Sequence, residues 1–166
     1  MNVTIEKVMN ENELRDIAEL ASLIWHECFV GIITAEQIDY MVERFQSFPA
    51  MQAQIREQSY SYFAVRDGAD LCGYFAVKPE DDDRFFLSKL YLRSDKRGLG
   101  IARKMLDRVF AEARSAGKKS VYLTVNKHND HAVDVYKRVG FTVADTAVTD
   151  IGGGFVMDDY IMSYIL

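Results

Sequence analysis

The segment with the clearest chemistry joins a β-rich run, a turn with two glycines and an amphipathic helix. Leu90, Tyr91 and Leu92 end the run, and Gly98 and Gly100 lie where the helix is expected to begin. The first amides of a helix have no partner within it and lie at the positive end of its dipole, so they can bind phosphate. Glycine has no Cβ and lets the backbone approach a ligand closely. The spacing predicts a phosphate or pyrophosphate site.

Two well-known phosphate loops do not fit this segment. It lacks the Gly-Lys-Ser/Thr ending of a Walker loop and the third glycine of the dinucleotide-binding pattern. Arg97 and neighbouring basic side chains are expected to add charge-assisted contacts. Between Arg84 and Lys119 the chain has eleven Lys or Arg and three Asp or Glu, although its net charge is −5. A basic block in an acidic protein suggests two ligands of opposite charge.

Two blocks of the sequence resemble the GNAT (Gcn5-related) N-acetyltransferases. The run from Arg97 to Ala102 matches the Arg/Gln-x-x-Gly-x-Gly/Ala signature of that family. The run from Asn129 to Phe141 is similar to its Asn-x-x-Ala-x-x-x-Tyr-x-x-x-Gly-Phe motif, with Tyr136 at the tyrosine. Both blocks occur in the family's order.

The resemblance implies acetyl-CoA as co-substrate, with its thioester in a gap between two parallel strands that splay apart. Tyr136 would be the catalytic residue that protonates the departing thiolate, because a phenol with a pKa of about 10 is protonated at neutral pH. A backbone amide such as that of Leu92 would hold the developing oxyanion. The residues that would contact acetyl-CoA are Leu90, Tyr91, Leu92, Arg97, Gly98, Leu99, Gly100, Ile101, Ala102, Arg103 and Asn129.

Acyl transfer to an amine also requires a group that takes up a proton. A primary amine has a pKa of about 10, so at pH 7 only about one molecule in a thousand is nucleophilic. Many relatives have a Glu two residues before the Leu-Tyr-Leu run, but Ser88 is here. The proton acceptor is left open among a water chain and the residues His26, Glu27, Asp158 and Asp159. Of the adjacent pair Asp158 and Asp159, at most one should face a given cleft, because neighbouring strand residues point to opposite faces.

Two features of the sequence bear on the identity of the acceptor amine. The run from Ile151 to Met162, together with the helix around Trp25–Gly31, looks like the PaiA-type polyamine N-acetyltransferases, and the acidic remainder of the chain suits a cation. The favoured hypothesis is acetyl transfer to a small, cationic, polyamine-like amine. One alternative is an acetyltransferase that acts on a protein N-terminus, a lysine or an aminoglycoside-like drug. Another is a CoA-binding regulatory module without turnover.

Hydrophobic periodicity predicts the elements that would position these residues. Alternating or β-rich runs predict strands, and apolar residues three and four apart predict helices. The fold class is α+β: a mixed, mostly antiparallel sheet of six to seven strands with one parallel pair and helices on both faces, in one domain over 1–166. The predicted strands cover 2–8, 60–65, 71–77, 85–92, 120–125, 141–148 and 155–166, and the predicted helices 11–29, 34–45, 51–58, 98–116 and 129–139.

The amino-acid composition indicates which classes of protein the chain can belong to. The chain has 49% hydrophobic and 27% charged residues, as expected of a globular domain. It has no apolar run long enough for a membrane span and no export signal, so we expect a cytoplasmic protein. Two cysteines and three histidines without metal-ligand spacing predict neither a disulfide scaffold nor a metal site. The negative net charge argues against nucleic acid as a partner, and the family resemblance allows a homodimer.

Overall fold

A computed structural model describes all residues from 1 to 166. One sheet contains seven strands in the order β1-β2-β3-β4-β5-β7-β6, and only β4 and β5 are parallel. This architecture confirms the predicted α+β class. The strands are β1 (Val3–Lys7), β2 (Ser61–Asp67), β3 (Asp70–Pro79), β4 (Arg84–Leu92), β5 (Ser120–Asn126), β6 (Thr142–Gly152) and β7 (Phe155–Ile165); the helices are α1 (Glu11–Cys28), α2 (Ala35–Phe45), α3 (Phe48–Glu57), α4 (Ile101–Ser115) and α5 (Asp130–Val139), with a short 3-10 helix at Ser94–Lys96.

The helices cover both faces of the sheet, so the central strands β2 and β3 bury side chains on both sides, whereas the edge strand β6 is exposed along almost its whole length. On one face α4 and α5 pack on residues such as Phe63, Phe75 and Leu87. On the other face α1 and α3 pack on Tyr62, Tyr74 and neighbouring alanines. None of the five α-helices has the length and the apolar character needed to cross a bilayer.

The parallel strands β4 and β5 separate soon after they pair. Their register covers Arg84–Phe86 opposite Ser120–Tyr122 and ends there, although β4 runs on to Leu92 and β5 to Asn126. On its other edge β4 has one extra residue, Ser88, between the positions that pair with Ala76 and Val77. A bulge of this kind bends a strand. The second halves of β4 and β5 therefore leave a gap in the sheet.

Three predicted boundaries differ from the observed ones by three or more residues. Helix α3 begins at Phe48 rather than 51, because the Ser47 side chain caps it and Pro49 is tolerated in a first turn. Helix α4 begins at Ile101 rather than 98, because Gly98 and Gly100 have left-handed backbone angles. Strand β6 continues past 148 to Gly152, where it turns into β7.

Candidate active site

A cavity of about 780 Å³ occupies the gap between β4 and β5. Two groups of elements line it. The loop before α4, the end of β5 and α5 line one half, which we call the cofactor half. Helices α1 and α2, Gln54 of α3, Tyr60 before β2 and the start of β7 line the other, which we call the acceptor half. Strand β4 lines both, from Phe86 to Leu92.

The N-terminus of α4 in the cofactor half differs from every other α-helix start in the chain. Helices α1, α2, α3 and α5 are each capped by a side chain, from Asn10, Thr34, Ser47 and Asn129. The N-cap residue of α4 is Gly100, which has no side chain to offer. Its first amides therefore have no protein acceptor and lie at the positive end of the helix dipole. An anionic group of a ligand fits this position.

The two glycines before α4 keep the approach to these amides open. Gly98 has φ +76° and Gly100 φ +80°, in the left-handed region that favours glycine. A Cβ added at either position would meet no atom within 4 Å. The space beside both glycines is thus available to a ligand.

Ion pairs to the β2–β3 hairpin hold the loop that precedes α4. Arg93 pairs with Asp70 at 2.8 Å and with Asp95 at 2.6 Å, and Lys96 pairs with Asp67 at 3.1 Å. Arg93 and Lys96, two of the basic neighbours of Arg97, therefore already have carboxylate partners within the protein.

Arg97 follows the loop that these ion pairs hold, and it lines the cavity. Its guanidinium donates to the Cys28 thiol at 2.6 Å, at the end of α1. No carboxylate pairs with it, so Arg97 is the cation of the loop that remains for a ligand.

The splayed half of β4 offers unpaired backbone groups to the same cavity. Arg93 donates its N–H to Cys72 on β3. Because backbone amides alternate sides along a strand, those of Leu92 and Leu90 point away from β3, towards β5. The pairing of β4 with β5 ends at Phe86, before these two residues, so their amides face the gap.

Most residues that the sequence assigned to acetyl-CoA binding line the cavity. They are Leu90, Tyr91, Leu92, Arg97, Gly98, Gly100, Ile101, Ala102 and Asn129. Asn129 also caps α5 through the Ala132 amide at 3.4 Å. Leu99 and Arg103 lie outside the lining: Leu99 is half exposed, and Arg103 pairs with Asp107 at 3.0 Å.

Tyr136 lies on α5 at the junction of the two halves. It is 8% exposed, its ring packs edge-on against Phe141 at 5.6 Å, and it lines the cavity. Burial raises the pKa of its hydroxyl well above the usual value of 10. The phenol is therefore a proton donor at neutral pH.

Asp159 is the buried carboxylate of the acceptor half. It is 4% exposed, lines the cavity, and has an oxygen, Oδ1, that is buried without any hydrogen-bond partner. Burial, followed by the negative charge of Asp158, raises its pKa to about 6, and Lys127 opposes this shift. Such a group is ionised at pH 7 and can still take up a proton.

The other three side chains considered as proton acceptors lie outside the cavity lining. Asp158 points the opposite way from Asp159 and pairs with Lys127 at 2.8 Å. Both ring nitrogens of His26 are engaged, by Asp39 and by the Ser22 carbonyl, each at 2.7 Å. Glu27 accepts a hydrogen bond from Ser94 at 3.3 Å. Of the four side chains, only Asp159 faces the gap.

Aromatic rings form the wall of the acceptor half. Trp25 stacks on Phe29 with ring centroids 4.3 Å apart, and Tyr91 lies 5.6 Å from Trp25. All three line the cavity with Asp159. Aromatic faces attract ammonium groups. The wall and the carboxylate together suit a cation.

The β6–β7 hairpin is bound to α2 beside this wall. The Tyr40 hydroxyl donates to the Ile151 carbonyl at 2.7 Å, and Gln37 donates to the Val156 carbonyl at 3.0 Å. A Cβ at Gly152 or Gly153 would come within 2.8 Å of the Tyr40 side chain. The glycines of the turn thus allow the hairpin to approach α2 and cover the acceptor half.

Sequence reasoning missed a polar network in the acceptor half. Lys89 is 5% exposed, and its ammonium donates to the Phe45 carbonyl, to Gln54 Oε1 at 2.9 Å and to the Tyr62 hydroxyl at 2.5 Å. Burial lowers its pKa to about 7. The available signal was a lysine inside the apolar run 85–92. Its partner Gln54 is on α3, far from Lys89 in the sequence, and gave no signal of its own.

Comparison with known proteins agrees with this geometry. Residues 17–141 match the model of the Acetyltransferase (GNAT) family. An uncharacterized N-acetyltransferase of Mycobacterium bovis is 28% identical over 130 residues, which are 78% of this chain and 83% of that protein.

Solved structures share the fold. The PaiA N-acetyltransferase of Thermoplasma acidophilum, solved in complex with coenzyme A, has a TM-score of 0.84 at 22% identity, with all of both chains covered. The spermidine/spermine N-acetyltransferase SpeG of Vibrio cholerae has a TM-score of 0.68 at 19% identity, covering 99% of this chain and 94% of that one.

The features of the cofactor half fit the needs of coenzyme A. Its pyrophosphate requires free amides and a cation, which the start of α4 and Arg97 provide. Its pantetheine arm carries amides of its own, which can pair with the unpaired edge of β4. With the family match over most of its length, the chain belongs to the GNAT acetyltransferases and is an acetyl-CoA-dependent N-acetyltransferase.

Proposed function

We propose that the chain transfers the acetyl group of acetyl-CoA to the amine of a small acceptor that binds as a cation, by direct attack on the thioester. The observation that carries this proposal is the buried Asp159 carboxylate, with one oxygen unpartnered, in the same cavity as the uncapped α4. An unpaired buried carboxylate is costly unless a ligand pairs with it. An ammonium group is the natural partner.

Asp159 binds the acceptor in its ammonium form, which must release one proton to solvent before attack because only the neutral amine has a lone pair; Asp159 then accepts the second proton. The aromatic faces of Trp25 and Phe29 add to the attraction for a cation. An ammonium group is a weak acid, with a pKa of about 10. The nitrogen of the attacking neutral amine gains a positive charge as it bonds to the carbonyl carbon, which makes its remaining protons far more acidic, so a carboxylate with a pKa of about 6 can take one of them.

The other two groups act on the acetyl side of the reaction. Acetyl-CoA supplies an activated carbonyl with a thiolate as leaving group. The amides of Leu90 and Leu92, which face the gap, stabilise the negative charge that grows on the carbonyl oxygen. Tyr136 donates its phenolic proton to the departing sulfur, and burial keeps that proton in place at neutral pH.

The charge pattern and the resemblance favour a polyamine-like acceptor, and this finer assignment stays part of the proposal. Asp159 can hold one ammonium group of such a molecule. A protein N-terminus, a lysine or an aminoglycoside-like drug would require the acceptor half to admit part of a larger molecule, whereas two hydrogen bonds tie α2 to the β6–β7 hairpin beside it. The contacts between these elements favour a small acceptor.

The test is release of the CoA thiol in the presence of acetyl-CoA and a panel of amines. The panel contains small monoamines, diamines and polyamines, amino acids, an aminoglycoside and a peptide with a free N-terminus. Turnover of small amines supports the proposal, and turnover of only the drug or the peptide supports the alternative acceptors. If calorimetry detects acetyl-CoA binding but no amine is acetylated, the protein is a CoA-binding module and the proposal is wrong.

Three further expectations concern the domain organisation, the cellular location and the oligomeric state of the chain. We propose that residues 1–166 act as one domain in the cytoplasm, where acetyl-CoA is made and used. A homodimer is a further prediction from the family resemblance. Sedimentation equilibrium of the purified chain tests it: a mass near 19.0 kDa would contradict it.

A further inference from the structure

The acceptor half contains a single carboxylate. The acidic residues that line the cavity are Asp130 and Asp159. Asp130 is exposed at the start of α5, which lines the cofactor half. Asp159 is buried, and it is therefore the one anionic partner that the acceptor half offers to an ammonium group. A second ammonium group in this half would be buried without an opposite charge, which is costly.

The other buried polar side chains of the cavity form their hydrogen bonds within the protein. They are Gln46, Gln54 and Lys89. The Gln46 amide oxygen accepts from a buried tyrosine hydroxyl at 2.9 Å. The Lys89 side chain donates all three of its hydrogens, to the Phe45 carbonyl, Gln54 Oε1 and the Tyr62 hydroxyl. This network adds no carboxylate to the acceptor half.

Much of the remaining lining is an apolar surface that the protein leaves partly uncovered. Ile33, Phe45 and Met157 pack against the core cluster around Trp25, line the cavity and are each only partly buried. Trp25 and Phe29, whose stacked rings are buried, line the cavity beside them. Apolar surface of this kind gains free energy when a ligand removes it from water. An acceptor with an apolar body fits such a lining.

Met157 brings this apolar surface directly beside the Asp159 carboxylate. The two residues are two apart on β7, in a stretch of regular register with β6, so their side chains point to the same face of the sheet. The aromatic wall is close as well. Burial raises the pKa of the Tyr91 hydroxyl above its usual value, and the negative charge of Asp159 adds to the shift. An ammonium group at Asp159 therefore has apolar and aromatic neighbours.

We propose that the acceptor is an arylalkylamine, a primary amine with one ammonium group and an apolar body about the size of a phenyl ring. The ammonium pairs with Asp159, and the ring lies against Met157 and the Trp25–Phe29 wall. This inference rests on the proposed acetyl transfer, whose products are then the N-acetyl amide and free CoA, and it names the class of acceptor. A polyamine, which the charge of the whole chain favours, is the competing acceptor, and it would place a second ammonium group against apolar side chains.

The experiment compares acceptors that keep the primary amine and change the body attached to it. 2-Phenylethylamine is compared with ethylamine, which lacks the ring, with 2-(pyridin-4-yl)ethylamine, whose ring has the same shape but is polar, and with putrescine and spermidine. We expect kcat/KM for 2-phenylethylamine to exceed that for ethylamine and for the polyamines by about tenfold to a hundredfold, with the pyridine compound in between. Equal values for 2-phenylethylamine and ethylamine, or equal or better turnover of a polyamine, would overturn the inference but leave acetyl transfer to amines intact.

Met157→Gln tests where the ring lies, because it keeps the length of the side chain and makes its end polar. The ratio of kcat/KM for 2-phenylethylamine to that for ethylamine should fall about threefold to tenfold. A general loss of active protein or of acetyl-CoA binding lowers both values and leaves their ratio unchanged. Met9→Gln is the matched control, because Met9 is 80% exposed and lies outside the cavity lining. A wild-type ratio in Met157→Gln would contradict the placement of the ring.

A binding measurement on the wild-type chain covers the case in which Met157→Gln does not fold. Trp25 is the only tryptophan and lines the acceptor half, so its fluorescence reports on that half directly. With CoA present, 2-phenylethylamine should change the emission in a saturable way, and putrescine at the same concentration should not displace it. The absence of a saturable change, or displacement by putrescine, would contradict the inference. No acetylation of any amine would instead contradict the proposed function itself.

Discussion

The two halves of the cavity use the chain in opposite ways. The cofactor half is built mainly from backbone: the free amides of α4, the turn with Gly98 and Gly100, and the unpaired edge of β4. The acceptor half is built from side chains, with Asp159 and Lys89 as its charged groups. The cofactor half presents the same backbone groups whatever its side chains are. The acceptor half can change its ligand when a single side chain is replaced.

This difference explains what each half contributes. A common co-substrate is best held by backbone groups, because their geometry is set by the strand, the turn and the helix. An acceptor that differs between family members is best selected by side chains. The predictions below test this division, from the largest expected effect to the smallest.

The largest effect is expected in the acceptor half, at Asp159. Asp159→Asn removes the proton acceptor but keeps the shape, so kcat should fall by about 10²–10⁴-fold with acetyl-CoA affinity within a factor of about two. The measurement is steady-state thiol release at pH 7.5 with calorimetry for acetyl-CoA. Asp158→Asn is the matched control, since the Asp158 side chain points away and pairs with Lys127. Comparable losses in both variants would remove Asp159 from this role.

Tyr136 comes next, at the junction of the halves. Tyr136→Phe should lower kcat by roughly tenfold to a hundredfold, less than Asp159→Asn, because a thiol with a pKa of about 8.5 leaves more easily than an alkoxide or amide. Acetyl-CoA affinity should be unchanged. Tyr164→Phe is the control, because Tyr164 packs on Phe110 and Phe141 outside the cavity lining. An unchanged kcat in Tyr136→Phe would show that another group protonates the sulfur.

The cofactor half should respond to a backbone change rather than to a change of charge. Gly100→Ala places a Cβ on a residue with φ +80° and should weaken acetyl-CoA binding roughly tenfold as the first amides of α4 shift. Gly68→Ala has the same kind of strain, at φ +62° in the β2–β3 hairpin, with no ligand nearby. If calorimetry gives the same acetyl-CoA affinity for both variants, the backbone at Gly100 and the start of α4 does not bind acetyl-CoA.

The smallest effect concerns stability. The folded-state pKa of Asp159, about 6, lies above its ordinary value of 3.8, so folding disfavours its ionised form. The free energy of unfolding should therefore fall as pH rises from about 4 to above 6. Asp159→Asn should be more stable than the wild type by about 1–2 kcal/mol at pH 8 and equal to it at pH 3, where both side chains are neutral. Urea unfolding at the two pH values measures this. A destabilised Asn variant at pH 8 would show that Asp159 has a partner in the folded protein.

The same division shows how much the sequence could predict. The cofactor half depends largely on residues that are close in the chain, from Leu90 to Ala102, so the turn with two glycines before α4 was visible as a local pattern. The strand alternation also indicated that only one of Asp158 and Asp159 faces the cleft, and the structure confirms it. The choice between them required burial, which depends on how α1 and α2 pack.

The rest of the acceptor half depends on contacts between distant segments. Lys89 meets the Phe45 carbonyl 44 residues away and Gln54 Oε1 35 residues away. Tyr40 meets the β6–β7 hairpin 111 residues away. Glutamine and tyrosine are common on surfaces and in cores, so their types alone do not predict a shared cavity. Only the packing of α2 and α3 against the sheet brings them together.

The central claim is that Asp159 takes the proton from the acceptor amine, and the pH dependence of kcat/KM tests it most directly. The wild-type rate should rise with pH through an apparent pKa of about 6, and this limb should be absent in Asp159→Asn. In Asp158→Asn the limb should move to lower pH, because the negative charge of Asp158 raises the pKa of Asp159. An ascending limb near pH 6 that remains in Asp159→Asn would contradict the claim.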